Sequence, residues 1–257
     1  MKRLVTFGDS FTYGQGLDGT ETAHPDPHPG AWPEHLGKLL GVDTVSNQSC
    51  PGSSNKQIWL TALNFEFQPG DIVVFCWSCN QRWLQIRDIR NKKQPINNSL
   101  ENSTLKQYGG WMEEPPDIME YYMHHWHPLD TLHEFCGRLD HIQQYISNIT
   151  GNTVFHSVIT QTVDLCQLLS PPQHSKSYLL RGLKGSIQEG DEIGEQLFRT
   201  ALFGRPHWCK TPVLATMDPE LYEFGQSCDG HLAAEGHPVF ASRLLDLMLK
   251  ENTKLLD

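Results

Sequence analysis

A chain of 257 residues can bury one sizeable core, because the share of surface removed from water rises with size, so a second domain is not required. A hydrophobic share of 38% beside a charged share of 19% excludes the charge-rich, aromatic-poor composition of a disordered chain. Thirty acidic against twenty basic residues give a formal charge of -10, which repels phosphate backbones and speaks against nucleic acid as a partner.

From the N-terminus, Leu4 to Phe7 is a short β-rich run stopped by Gly8. It is too short for a signal-peptide core, and no later stretch is long enough to span a bilayer. Trp32 to Leu40 reads as a helix opening with Pro33 in its first turn, and Val42 to Ser46 as a second strand. Asn55 to Phe67 carries Ile58, Leu60, Leu63 and Phe67 at helical spacing, with Pro69 and Gly70 as the stop. Asp71 to Trp77 is continuously apolar from Ile72 onward, as expected of a central parallel strand covered on both faces. Asp130 to Ile149 is a long amphipathic helix, Thr153 to Ile159 a further strand, and Leu232 to Leu249 a C-terminal helix. This alternation predicts an α/β fold with a doubly wound sheet. The polar, Asn-rich stretch from Arg87 to Pro116 and the mixed stretch from Leu168 to Gly204 break it, and are expected to lie over the strand ends as loops or lids.

Two fragments carry chemistry. Gly8-Asp9-Ser10 follows the first strand, so Ser10 is expected on a sharp turn at the carboxyl edge of the sheet, where open α/β sheets bind ligands. Asp229 and His231 precede the last helix. A serine nucleophile needs an imidazole to take its proton and a carboxylate to orient that ring, and this pair supplies both types. A turn with a helix cap at Asp9 and Ser10, and a cap with a surface residue at Asp229 and His231, are the purely structural alternatives.

The order of the fragments adds information. Gly8-Asp9-Ser10 after the first strand, Asn47 with Gly52, Ser53, Ser54 and Asn55 after the second, Asn80 after the third, and the Asp229/His231 pair before the last helix together resemble the SGNH (GDSL-like) hydrolase family. The resemblance runs from Gly8 to His237. It implies a three-layer α/β/α sandwich with a central, mostly parallel sheet of flavodoxin-like order. It also implies one domain over 1–257 with insertions at about 81–130 and 168–210. By the same resemblance Ser10 is the nucleophile, His231 its base and Asp229 the acid, with an oxyanion hole made by the Ser10 and Gly52 backbone N–H groups and the Asn80 amide. Ser78 and Gln81 stand where the family usually has Gly and Asp, and Cys228 stands at the usual place of the acid, which leaves a Ser10–His231 dyad as the alternative.

The activity so implied is that of a serine ester hydrolase working through an acyl-enzyme on short acyl esters, with carbohydrate esters favoured and no metal or organic cofactor. An acyltransferase and an inactive carbohydrate-binding or structural relative are the alternatives. Asp9, Arg82 and Trp83 are candidate substrate contacts, and His237 is the alternative base should His231 point away. The histidines at 24, 28, 124, 125, 127 and 133 lack carboxylate or thiolate partners at ligand spacing, and Cys76 with Cys79 lacks a second pair, so no metal site is expected. Among seven tryptophans, Trp59 and Trp77 are expected in the core, and Trp83, Trp111 and Trp126 are candidates for a binding wall. The odd number of cysteines favours reduced thiols, hence the cytoplasm.

Overall fold

The computed structural model describes residues 2–19, 25–78, 83–86, 105–108, 128–152, 154–158, 215–216, 221 and 231–252. In chain order these form β1 (Arg3–Phe7), α1 (Ser10–Tyr13), α2 (Trp32–Leu40), β2 (Thr44–Asn47), α3 (Asn55–Leu63), β3 (Ile72–Trp77), β4 (Trp83–Ile86), β5 (Leu105–Tyr108), α4 (Pro128–Thr150), β6 (Val154–Val158), β7 (Ala215–Thr216) and α5 (Gly236–Glu251). The insertion expected at 168–210 lies outside the described residues. Within the first insertion, for which loop or helix was expected, β4 and β5 pair as an antiparallel ribbon separate from the main sheet.

The main sheet has the order β2-β1-β3-β6-β7, and every neighbouring pair is parallel. Alternation along the strands builds a core on each face. Val5, Phe7, Val73, Phe75 and Trp77 face α3 and α4, where Ile58, Ala62, Phe135, Leu139, Ile142 and Ile146 meet them. Leu4, Ile72, Val74 and Cys76 face the other way, onto Trp32, Leu36 and Leu40 of α2 and Phe240, Leu244 and Met248 of α5. The result is the expected α/β/α sandwich. No helix among the described residues is long and apolar enough to cross a membrane.

Local chemistry sets the boundaries. α2 has the predicted limits, and stops at Gly41 (φ 63°), with the Gly41 and Val42 N–H groups bonded back into the last turn. Val42 therefore belongs to the helix stop, and the second strand begins at Thr44 rather than at Val42. α3 ends at Leu63, short of the predicted Phe67, because the Asn64 amide caps Leu60 C=O at 2.8 Å and the chain turns Phe65 and Phe67 back onto Phe7. Trp77 is fully buried as expected, whereas Trp59 is only partly covered. At the amino edge of the sheet, Arg3 grips Asp71 with two bonds of 2.9 and 2.6 Å and lies over the Phe65 ring.

His156 is a polar group in the middle of β6, wholly buried and stacked against Phe75 and Trp77. Its Nδ1 accepts the Trp77 indole N–H at 3.0 Å and its Nε2 meets Gln143 Oε1 at 3.1 Å. Burial lowers its pKa to about 3, so the ring is neutral in the folded protein.

An unfolded chain binds a proton at this histidine below about 6.5 while the folded chain does not, so stability is complete above that pH and is lost as pH falls toward 3. His156→Gln removes the titration and keeps a polar side chain. It is expected to melt lower at pH 7 but to lose less of its Tm than the parent between pH 7 and 4, measured by circular dichroism. Gly8 makes a second test. A Cβ there would lie 2.1 Å from Thr12 Oγ1 and 3.1 Å from the Cys76 carbonyl, so Gly8→Ala should cost about 1–3 kcal/mol of unfolding free energy in urea titrations.

Candidate active site

The strand order places a topological switch between β1 and β3: the chain leaves β1 toward α2 on one face and leaves β3 toward α4 on the other. A crevice therefore opens at their carboxyl ends, the position at which open α/β sheets bind ligands. Ser10 is the residue that β1 delivers there. Asp9 caps the single turn of α1 through its Oδ1, which accepts Phe11 N–H at 3.1 Å, and Gly14 (φ 82°) ends that turn. Ser10 occupies the first helical position, so its own N–H has no acceptor within the helix.

Asp9 was a candidate substrate contact, and its placement gives it another role. It is fully buried, and its second carboxylate oxygen accepts the Ser78 hydroxyl at 2.9 Å. Ser78 sits just past β3, so this bond ties the Ser10 turn to the exit of that strand. Sequence reading registered Ser78 only as a departure from the family pattern; a buried carboxylate beside it was the missing signal.

The second block is braced in the same way. Cys50 N–H donates to Gly8 C=O at 3.3 Å, and the Asn47 amide donates to Thr12 C=O at 2.8 Å while its oxygen accepts the Ser49 hydroxyl at 2.6 Å. These bonds hold the loop after β2 against α1. Gly52 in that loop has φ 77°, which an L side chain rarely adopts, and a Cβ there would meet no atom of the described residues within 4 Å. The need for glycine is thus conformational. Ser54 caps α3 by accepting Gln57 N–H, so the end of the block is structural.

The other chain end completes the site. His231 Nε2 lies 2.7 Å from Ser10 Oγ, a contact between residues 221 apart in sequence. Ser10 is 3% exposed and His231 is half-buried, with the Phe11 ring 4.7 Å from the imidazole. Phe11 was not singled out from sequence, and its position next to Ser10 was the only available cue. Buried Cys76, close to Thr12, has its thiol pushed up to about 12 by burial and stays protonated. Asn80, Arg82 and Asp229 lie outside the described residues, and Trp83 is described only in the backbone course of β4. Among the described residues no cluster of three or more His, Cys, Asp or Glu could hold a metal ion.

No family model matches the sequence, and no curated protein matches it either. Solved structures do. A carbohydrate esterase whose active site displays divergent catalytic and non-catalytic binding functions is 9% identical, with a TM-score of 0.50 over 100% of this chain and 70% of that one. An acetyl xylan esterase from the rumen bacterium Butyrivibrio proteoclasticus is 13% identical, with a TM-score of 0.50 over 99% of this chain and 65% of its own. A lipolytic protein of the G-D-S-L family from Veillonella parvula is 12% identical, with a TM-score of 0.42 over 97% and 100% of the two chains. This chain thus spans about two thirds of the length of the two esterases and has their fold, the fold that its four ordered sequence blocks implied.

Proposed function

We propose that this protein is a serine ester hydrolase of the SGNH type, and the observation that carries the reading is the 2.7 Å contact between His231 Nε2 and Ser10 Oγ at the switch point of the sheet. In this reading Ser10 Oγ attacks an acyl carbonyl as its proton passes to His231 Nε2. The Ser10 and Gly52 backbone N–H groups, with the Asn80 amide, receive the oxyanion; each such donor is typically worth about 10²-fold in turnover. His231 returns the proton to the leaving alcohol, and water then releases the acid by the same route in reverse. Asp229 orients the imidazole through its other nitrogen.

The chemistry of the esterases with this fold, one of them an acetyl xylan esterase, accords with a short acyl group on a carbohydrate as the substrate class. Arg82 and Trp83, beside Asn80 in sequence, are the proposed contacts to the rest of the substrate. One domain over 1–257 with insertions at about 81–130 and 168–210, set in the cytoplasm, completes the reading.

Active-site labelling by a fluorophosphonate probe, followed by mass spectrometry, should modify the parent protein and leave Ser10→Ala unmodified. Labelling that persists in Ser10→Ala would overturn the assignment. Ser10→Ala and His231→Ala should each lower kcat on p-nitrophenyl acetate by about 10³-fold or more with little change in KM. Added sugar acceptors should leave acyl release unchanged; acceptor-dependent turnover would assign a transferase instead.

The acid at 229 can be tested separately. Asp229→Asn should cost about 10²-fold or more in kcat if the carboxylate holds the ring, whereas a dyad supported by backbone alone predicts almost no change.

A further inference from the structure

The base of this site sits on a loop, yet its Nε2 is held 2.7 Å from the nucleophile. A misplacement of about 1 Å in such a pair can cost about 10²-fold in rate, so something must fix that loop. Leu232, the next residue, is 1% exposed and packed among Trp32, Phe240 and Leu244. Gly236 closes the turn by donating its N–H to Ala233 C=O at 3.0 Å, and a Cβ on Gly236 would lie 2.4 Å from Leu232 Cδ1. The turn is therefore tight, and its backbone is anchored from one side by a second histidine.

His237, in the first turn of α5, is 1% exposed. Its Nδ1 accepts the backbone N–H of Trp32 at 3.0 Å, across 205 residues of sequence. That N–H opens α2, whose cap residue Ala31 has no side chain able to bond it, so the imidazole serves as the cap. The ring also faces the backbone carbonyl of Leu232, the residue that follows His231, and that carbonyl works to raise its pKa. With Nδ1 occupied as an acceptor, the nitrogen that meets the Leu232 carbonyl is the protonated Nε2. The charged or titratable groups acting on the ring are His35 of α2, His28 of the loop before it, and His231; together with burial, the larger cause, they lower its pKa to about 4. The ring is neutral through the working range of an imidazole base, and its bond from Trp32 keeps one direction.

We propose that His237 is a positioning residue for His231: a neutral imidazole that spans from the start of α2 to the Leu232 backbone and so fixes where the base meets Ser10. The role rests on the reading of His231 as base. It is not the base itself, because its nitrogens are turned to Trp32 and Leu232 while His231 already faces the hydroxyl.

Three substitutions at 237 separate the two bonds. Leu removes both, Gln reaches the Nε2 position and can still donate to Leu232, and Asn reaches only the Nδ1 position and can still accept from Trp32. The His231 ring nitrogens are followed by 15N-detected NMR, and kcat, KM and Tm are measured in parallel. His237→Leu should move the His231 ring signals toward those of an imidazole without the serine contact and lower kcat by about 10-fold to 100-fold with KM nearly constant. Gln should restore both readouts in large part and Asn should not, even where their Tm values are equal. Unchanged His231 signals in all three variants, with only Tm reduced, would overturn the proposal. If the Leu variant does not fold, the contrast between Gln and Asn decides alone, and equal His231 signals in those two overturn it. An active Ser10→Ala protein would sink the hydrolase reading, while the ring signals would still report whether residue 237 positions residue 231.

Discussion

A hydroxyl ten residues from one end of the chain and an imidazole near the other approach to 2.7 Å, and the rest of the architecture can be understood as what makes that approach hold. Neighbours in sequence shape each turn, but the long-range packing brings the two together. Ser10 is where it is because β1 lies between β2 and β3, and because the change of crossover direction leaves the carboxyl end of β1 uncovered. His231 is where it is because α5 packs along α2 on the face built by Leu4, Ile72, Val74 and Cys76, which returns the chain to the same edge. The contact is a consequence of the α2/α5 layer closing on the sheet, so loss of that layer's packing would separate the pair.

The Ser10 turn shows how a candidate site on short loops gains rigidity from buried polar groups rather than from apolar mass. Asp9 is fully buried and its two carboxylate oxygens accept from Phe11 N–H and from Ser78. Asn47 binds Thr12 C=O with its amide and Ser49 with its oxygen. Each group left without its partner would carry a desolvation cost of about 1–3 kcal/mol, so the bonds define one arrangement by making the alternatives expensive. Three segments that are distant in sequence are fastened in this way: the turn after β1, the loop after β2 and the exit of β3.

The legible part of this protein is the part with a period or a local signal. The continuous apolar run of β3, the Pro33 start of α2 and the stripe on α4 each announced an element within a residue or two of its limits. The ordered Gly-Asp-Ser, Gly52 and Asp/His blocks pointed to the edge of the sheet at which Ser10 and His231 now meet. Boundaries failed where a cap overrode the pattern, as at Gly41, which delays β2 to Thr44, and at Asn64, which ends α3 early. Leu232 also shows why α5 starts at Gly236 and not four residues sooner, since it is drawn into the core before the helix begins. What sequence could not disclose were pairings between single polar residues across 68 to 205 positions, such as Arg3 with Asp71 or Trp32 with His237, because one donor and one acceptor make no periodic signal.

Three histidines make the same point about chemistry. His156, His231 and His237 are the same residue type, but their surroundings give them different work. Wrapped by Phe75 and Trp77 and bonded at both nitrogens, His156 has its pKa lowered to about 3 and serves as a neutral strut in the core. His237, buried at the junction of α2 and α5, is lowered to about 4 and links two backbones. His231 is the half-buried one, and one of its ring nitrogens faces a serine hydroxyl. An imidazole sealed in a low-dielectric core resists the very protonation that a general base must undergo. Of the three, only the ring at the edge of the sheet lies within hydrogen-bond reach of a serine hydroxyl, and that placement, rather than the presence of histidine, marks the candidate site.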